Sequence, residues 1–157
     1  MELLHNIPLL SSIFAIIFAQ FVKIPIHFIA TKKIDWSLFT STGGMPSSHS
    51  AAVSALTTAI GFESGLDSPL FAASTVFAII VMFDATGIRY QAGQQAIIIN
   101  QLRKDFQVFV NEAKGWNNKK EEEKMQELKT LLGHRPSEVF FGSLTGILIS
   151  VIVYTIF

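Results

Sequence analysis

The chain has 157 residues, of which 50% are hydrophobic and only 15% are charged, and its mean hydropathy is +0.44. This composition is too apolar for an ordinary soluble domain and predicts an integral membrane protein. The absence of cysteine excludes disulfide bonds, cysteine nucleophiles and thiolate metal sites. The basic residues alternate with as many acidic ones, which argues against nucleic acid as a partner.

The hydrophobic pattern predicts an all-α fold, a polytopic membrane helical bundle that forms a single membrane domain over residues 1–157. We expect about four membrane-embedded helices, over residues 7–22 (with an extension to 29 past Pro25), 47–62, 70–89 and 136–157. The second of these segments is short and carries Ser54, Thr57 and Thr58. It is therefore expected to be buried among the other helices rather than exposed to lipid.

Residues 91–133 have a different character and predict a cytoplasmic amphipathic helical insertion. Apolar residues recur at helical spacing from Ile98 to Ala113, with charged residues between them. Asn118 with Glu121 predicts a capping box for a second helix, and Gly133 is placed to end that helix. We expect the insertion to pack on the cytoplasmic rim or on a second subunit, which leaves a homodimer open; a substrate gate is the alternative.

The basic residues predict the orientation in the membrane. All twelve Lys and Arg residues fall within two segments, 23–45 and 89–135. By the positive-inside rule both segments are expected in the cytoplasm. If four apolar segments span the cell inner (plasma) membrane, both termini then lie on its outer side. The N-terminus lacks the basic region of a signal peptide, so the first apolar segment is expected to be retained. Lys23 is expected at the membrane–water boundary.

Two helix starts carry residues suited to an anion. Residues 43–50, Gly-Gly-Met-Pro-Ser-Ser-His-Ser, lead into the second segment, where free N–H groups and the helix macrodipole favour phosphate. His49 adds a side chain that exchanges protons near neutral pH. The structural alternative is a serine-capped helix with an incidental histidine.

The start of the fourth segment, Gly-His-Arg-Pro-Ser-Glu at 133–138, is the second such site. Glu138 lies one helical turn beyond His134, so it can hold one imidazole nitrogen and leave the other free for nucleophilic attack. Arg135 is either a phosphate ligand or a membrane anchor.

Asp84 and Arg89, at the inner end of the third segment, are costly in a membrane unless they are paired or functional. A simple ion pair is therefore the structural alternative for Asp84. The inner ends of the four segments together contain several cations, two histidines and two helix N-termini, with Lys23 (or the pair Lys32 and Lys33) supplying one of the cations. Phosphoryl transfer requires this combination. His5 and His27 are expected to be packing or interfacial residues.

The sequences Pro-Ser-Ser-His-Ser at 46–50 and Gly-His-Arg-Pro-Ser-Glu-Val at 133–139 resemble a known family. They look like the divergent branch of the type 2 phosphatidic acid phosphatase and vanadium-dependent haloperoxidase superfamily. That superfamily has the motifs K-x6-R-P, P-S-G-H and S-R-x5-H-x3-D. Residues 46–49 match the second motif with Ser48 for its glycine, and His134 and Glu138 match H-x3-D with Glu for Asp.

The resemblance implies a phosphatase in which His134 forms a phosphohistidine and His49 protonates the leaving group. Ser47 and the backbone around Ser48 would bind phosphate, with no metal and no other cofactor. The third motif lacks its arginine, because Leu128 stands at that position, so Arg89 or Arg135 would substitute. The first motif is incomplete, because Lys23 is not followed by Arg-Pro at the family spacing.

The leading hypothesis is a membrane lipid phosphatase that hydrolyses a phosphomonoester of the phosphatidylglycerophosphate or phosphatidate type. The candidate catalytic residues are His134, His49, Glu138 and Asp84, and the candidate substrate-binding residues are Lys23, Ser47, Ser48, Arg89 and Arg135. The alternative is a non-catalytic membrane protein that binds or transports a phosphorylated lipid. A metal site built from the histidines with Asp84 or Glu138 also stays open, although no helix has two histidines at i, i+4.

Overall fold

The computed structural model describes residues 5–41, 43–113, 128 and 132–156, and throughout these residues the regular structure is helical. The α-helices are α1 (Ile7–Thr31), α2 (Ser48–Ser64), α3 (Pro69–Thr86), α4 (Ile88–Ala113) and α5 (Pro136–Ile156). A short 3₁₀ helix, Trp36–Thr40, lies between α1 and α2. The prediction of an all-α membrane fold is confirmed.

Polar side chains cap the first three α-helices. Asn6, Ser47 and Ser68 accept hydrogen bonds from backbone N–H groups in the first turns of α1, α2 and α3. These bonds satisfy donors that a helix cannot pair internally. Pro25 lies inside α1 without ending it, so the first segment continues to Thr31.

Helix α2 is the central helix and packs against α1, α3 and α5. At one end of the bundle, Ile7 at the start of α1 and Ile156 at the end of α5 line the same cavity. Both described ends of the chain therefore lie together. The starts of α2 and α5 meet at the opposite end, where the backbone N–H of Ser47 donates to the carbonyl of Glu138, 2.9 Å away.

The distribution of side chains is the reverse of that in a soluble protein. The buried cluster is built mainly from small residues, namely Ala15, Ala19, Ala51, Ala55 and Ile149. Large apolar side chains point outward, and Phe14, Phe77 and Ile152 are each more than half exposed. This arrangement suits a lipid solvent, in which helices associate through close packing of small residues.

Among the described residues, three helical stretches are long and apolar enough to cross a membrane. They are Ile7–Thr31, Pro69–Val110 and Pro136–Ile156. Helix α2 has 17 residues and buries much of its surface against its neighbours, as its hydroxyl-rich sequence predicts. Three helical stretches that are long enough to span a membrane, together with this shorter central helix, correspond approximately to the expected four embedded helices.

Two glycines allow α5 to approach α2 closely. A Cβ atom added at Gly146 would lie 2.1 Å from the carbonyl oxygen of Ala51, and one at Gly142 would lie 2.4 Å from that of Ser47. Both distances are shorter than any van der Waals contact, so the backbones themselves touch here. This confirms the close helix contact that the glycine spacing predicts.

We expect Gly146→Ala to destabilise the bundle, because the added methyl group must push the α5 backbone away from α2. Overpacking of this kind costs about 1–3 kcal/mol, and the rigid backbone partner favours the upper end. The measurement is thermal unfolding of the purified protein in detergent. Leu148→Ala on the exposed face of α5 is the control. Equal melting temperatures for wild type and Gly146→Ala would contradict the close contact.

Helix α4 begins earlier than the predicted insertion, at Ile88 instead of residue 91. Gly87 separates it from α3, and the N–H of Gly87 donates to the carbonyl of Phe83, 2.8 Å away. Farther along α4, the Asn100 side chain bonds both backbone groups of Leu128, at 3.0 and 3.1 Å. The Asn100 side chain therefore connects α4 to Leu128, near the C-terminal end of the insertion.

The predicted capping box at Asn118 and Glu121 and most of the second amphipathic helix lie outside the described residues. Gly133, the expected helix stop, has a φ of 75°. A Cβ atom there would lie 2.2 Å from the backbone nitrogen of Tyr90. Both the backbone conformation and the contact with α4 require glycine at this position.

Candidate active site

A cavity of about 290 Å³ lies at the end of the bundle where α2 and α5 begin. It is lined by His49, Ile80, Val81, Asp84, Ala85, Arg89 and His134. His49 comes from α2, Asp84 from α3, Arg89 from α4, and His134 from the segment before α5. Four charged or titratable groups, each from a different part of the chain, therefore meet in one cavity.

Backbone hydrogen bonds hold the elements of this cavity in place. The N–H of His134 donates to the carbonyl of Ala85 at the end of α3, 2.9 Å away. The bond between Ser47 and Glu138 joins the first turns of α2 and α5. Two helix N-termini thus lie beside the cavity, and the positive end of each helix dipole favours an anion there.

His134 is the most constrained side chain of the site, being only 1% exposed. Its Nδ1 lies 3.1 Å from a carboxylate oxygen of Glu138. The same oxygen accepts the backbone N–H of Arg135 at 3.3 Å, which completes one half of a capping box. Because an ionised carboxylate can only accept, Nδ1 carries a proton, and in the neutral imidazole Nε2 therefore has the lone pair.

The Nε2 atom of His134 is buried and has no hydrogen-bond partner among the described residues. An unsatisfied buried nitrogen is costly unless a ligand or a reaction uses it. The bond from Nδ1 to Glu138 fixes the ring orientation, as in sites where a histidine acts through its other nitrogen. This arrangement is what a nucleophilic imidazole requires.

His49 faces His134 across the site. The two ring centroids are 5.8 Å apart and the rings are inclined by 61°. His49 is exposed and lines the cavity, so its ring is accessible to a ligand. At this separation a single phosphoryl group in the cavity could contact both imidazoles, an arrangement compatible with one acting as a nucleophile and the other as a proton carrier.

Lys23 is 2% exposed and lies inside α1, so the protein itself encloses this side chain. The loop before α2 covers it. Its Nζ donates to the carbonyl of Ser41 at 3.3 Å, and a Cβ atom at Gly44 would lie 3.8 Å from its Cδ. Lys23 does not line the cavity, but its charge acts on Glu138 and on His49.

Ser47 and Ser48, at the start of α2, are part of the helix packing and do not face the cavity. The Ser47 hydroxyl accepts the backbone N–H of Ser50 at 3.3 Å and the Ser50 hydroxyl at 3.0 Å. It is therefore the cap of α2, as the structural alternative predicts. Ser47 and Ser48 are both buried, and neither lines the cavity.

The two candidate arginines differ in position. Arg89 lines the cavity, and its Nε donates to the Oδ2 of Asp84 in an ion pair whose partners are both partly exposed. Arg135 is exposed and does not line the cavity, and its described role is the backbone bond to Glu138. Of the two, only Arg89 can reach a ligand in the cavity as the side chains now stand.

The other histidines lie away from this site. His5 lines an apolar cavity at the opposite end of the bundle, and His27 lies near Thr31 and Lys33 at the end of α1. Among the residues that the structure describes, no three His, Asp or Glu side chains are grouped so as to hold a metal ion.

Several residues of the site carry no signal in the sequence. The carbonyl groups of Ser41 and Ala85 fix Lys23 and His134, but any residue offers such an acceptor. Ile80 and Val81 supply the apolar wall of the cavity, yet in the sequence they resemble every other residue of the apolar run in α3.

These features define a helical membrane protein with a cavity lined by two histidines, an arginine and an aspartate. Residues 4–149 match the family described as "Divergent PAP2 family", and the chain belongs to that family. The chain is 63% identical over 153 residues to "Uncharacterized membrane protein YuiD" of Bacillus subtilis (strain 168), an alignment that covers 98% of this chain and 97% of that protein. No solved structure matches the chain. The resemblance found in the sequence and the membrane localisation are thereby confirmed.

Proposed function

We propose that the protein is a membrane lipid phosphatase that hydrolyses a phosphomonoester through a phosphohistidine on His134. The observation that carries the proposal is the buried imidazole whose Nδ1 is held by Glu138 while its Nε2 has no partner. Membership of the Divergent PAP2 family supports phosphatase-type chemistry but names no substrate. Phosphatidylglycerophosphate and phosphatidate are the proposed substrate types.

In the first step, the lone pair of His134 Nε2 attacks phosphorus and the bond from phosphorus to the lipid oxygen breaks. His49 gives its proton to that oxygen, so the lipid leaves as a neutral alcohol. Glu138 keeps the His134 ring in place and stabilises the positive charge that the imidazole gains. The two helix N-termini stabilise the charge on the phosphoryl oxygens.

In the second step, His49 takes a proton from a water molecule as that water attacks the phosphohistidine. The bond between Nε2 and phosphorus breaks, and inorganic phosphate leaves. His49 is then protonated and His134 is free, which restores the starting state. The same histidine thus acts first as an acid and then as a base, as microscopic reversibility requires.

Arg89 is the proposed phosphate ligand in place of the arginine that the third motif lacks. It is held by Asp84 in the unliganded protein, so phosphate must compete for it. Lys23 is the proposed second cation and acts from behind the cavity wall through its charge. Ser47 and Ser48 contribute through the helix start that they form, and Arg135 through its backbone N–H.

We propose that this end of the bundle faces the cytoplasm in the inner (plasma) membrane. The basis is the positive-inside rule applied to the twelve Lys and Arg residues. Substrate would then be taken from the inner leaflet, where glycerophospholipids are made.

Single cysteines test this orientation, because the chain has none of its own. We expect a cysteine at Lys33, on the site end, to react with a membrane-impermeant thiol reagent only after the cells are opened. A cysteine at Asp67, in the turn between α2 and α3, should react in intact cells and serves as the control. Labelling of the Lys33 position from outside intact cells would contradict the orientation.

The substrate is proposed to enter sideways from the bilayer. Ile80 and Val81 place the apolar surface of α3 in the cavity wall, so a lipid tail can lie against α3 while its phosphate reaches the histidines. Tail contacts would then add to binding without selecting one acyl chain.

The test compares phosphate release from phosphatidylglycerophosphate, phosphatidate and glycerol 3-phosphate in detergent micelles that contain a metal chelator. We expect hydrolysis of at least one lipid and much slower hydrolysis of the soluble ester. Equal rates on lipid and soluble substrates would contradict lateral entry. Saturable binding of the lipids with no release of phosphate would favour a non-catalytic carrier.

A further inference from the structure

We infer that Asp84 accepts a hydrogen bond from a hydroxyl group of the substrate. The site would then prefer phosphomonoesters with a free hydroxyl on the carbon next to the phosphorylated one. The inference rests on the proposed function and narrows its substrate class. Its starting point is the position of Asp84, whose carboxylate lies in the wall of the same cavity as both histidines.

A carboxylate is an unexpected group in the wall of a phosphate site. Phosphate and carboxylate are both anions, so their proximity weakens phosphate binding. Arg89 offsets this charge in the unliganded protein through its bond to Oδ2. Once a phosphate binds Arg89, the carboxylate of Asp84 shares or loses that partner, which leaves it able to accept a hydrogen bond from another donor.

A hydroxyl on the organic part of the substrate can supply that donor. A phosphate dianion has no proton to give, and the neighbouring cavity residues Ile80, Val81 and Ala85 have apolar side chains. Asp84 also directly precedes Ala85, whose carbonyl holds the backbone of His134. Asp84 therefore lies next to the residue that holds the backbone of the proposed nucleophile, in the wall of the cavity that would receive the ester.

The size of the cavity suits a hydroxyl close to the phosphate. A cavity of about 290 Å³ accommodates a phosphate together with its first attached carbons. A hydroxyl on the carbon next to the phosphorylated one stays within this space. The glycerol phosphate end of phosphatidylglycerophosphate has such a hydroxyl, as does a monoacylglycerol phosphate. Phosphatidate does not, because that position is acylated.

The experiment uses two lipids that differ by one hydroxyl, 1-oleoylglycerol 3-phosphate and its 2-deoxy analogue, in the same detergent micelles. We expect the wild-type kcat/KM to be about 10–100-fold higher for the hydroxylated lipid, since a hydrogen bond to a charged group has a strength of this order. Asp84→Ala should reduce the preference to within about threefold, the scatter expected when no specific contact distinguishes the lipids. Asp67→Ala, in the turn at the opposite end, should keep the full preference.

The remaining outcomes separate this inference from the proposed function. Equal kcat/KM for the two lipids in wild type would overturn the inference and leave the phosphatase intact. If Asp84 only held Arg89 in place, Asp84→Ala would lower kcat/KM equally for both lipids and leave the ratio of the two values unchanged. That result would also overturn the inference. Should Asp84→Ala fail to fold, Asp84→Asn replaces it and should also lower the ratio. Hydrolysis of neither lipid by wild type would remove the proposed function, and this inference with it.

Discussion

His134→Ala is expected to abolish phosphoenzyme formation and to lower turnover on the order of 10⁴-fold or more, as loss of a nucleophile does. The physical reason is the arrangement of the imidazole, whose Nδ1 is fixed by Glu138 and whose Nε2 is buried without a partner. No other nitrogen in the described part of the cavity is held in this way. Phosphate release from lipid micelles measures the effect.

The matched control for this change is His27→Ala, which removes a histidine of α1 that lies outside the cavity. It should keep near wild-type turnover. Thermal unfolding of both variants separates chemistry from folding, because His134→Ala also leaves Glu138 without its side-chain partner. Turnover within a few-fold of wild type in a folded His134→Ala protein would remove His134 from the mechanism.

His49→Ala is expected to lower turnover on a natural lipid by on the order of 10²–10⁴-fold, the usual effect of losing a general acid. An alkoxide leaves poorly, so its oxygen must be protonated as the bond to phosphorus breaks. A nitrophenyl phosphate needs little protonation of its leaving group, and its rate of phosphoenzyme formation should fall much less. Single-turnover measurements with both substrates give this comparison.

An equal loss of phosphoenzyme formation on both substrates would contradict the role of His49 as the acid for the leaving group. His5→Ala is the control, because His5 lies at the opposite end of the bundle. It should change neither rate.

The sequence predicts much of this fold because a membrane protein shows its spans directly in its composition. The apolar runs locate α1, α3 and α5, and the hydroxyl-rich run before Phe62 correctly indicates a buried central helix. The boundary between α3 and α4 was harder to predict. The sequence on both sides of Gly87 is compatible with a helix, so the sequence alone does not show where in residues 86–91 α3 ends. The structure places this boundary at Gly87.

The sequence also predicts that the site residues come together. Because successive membrane helices run in opposite directions, the start of α2, the end of α3 and the start of α5 lie at the same end of the bundle. His49, Asp84, Arg89 and His134 meet there as expected. What the sequence could not give is the direction of each side chain. Lys23 is expected at the membrane surface by its charge, yet the loop around Gly44 covers it.

Ser47 illustrates the same limit at a smaller scale. A hydroxyl at a helix start can bond either its own helix or a ligand, and both uses have the same sequence pattern. In the folded chain the Ser47 hydroxyl is occupied by Ser50. Similarly, Arg89 and Arg135 are equal candidates in the sequence, and only the packing of α4 brings Arg89 into the cavity.

The most direct test of the central claim is to trap the covalent intermediate. Purified protein in micelles is mixed with a lipid monoester that carries a radioactive phosphoryl group, and the reaction is stopped within one turnover. We predict a label on the protein that is lost in acid, kept in alkali, and absent from His134→Ala. Phosphate release by wild type with no protein-bound label, or the same label on His134→Ala, would contradict the phosphohistidine mechanism.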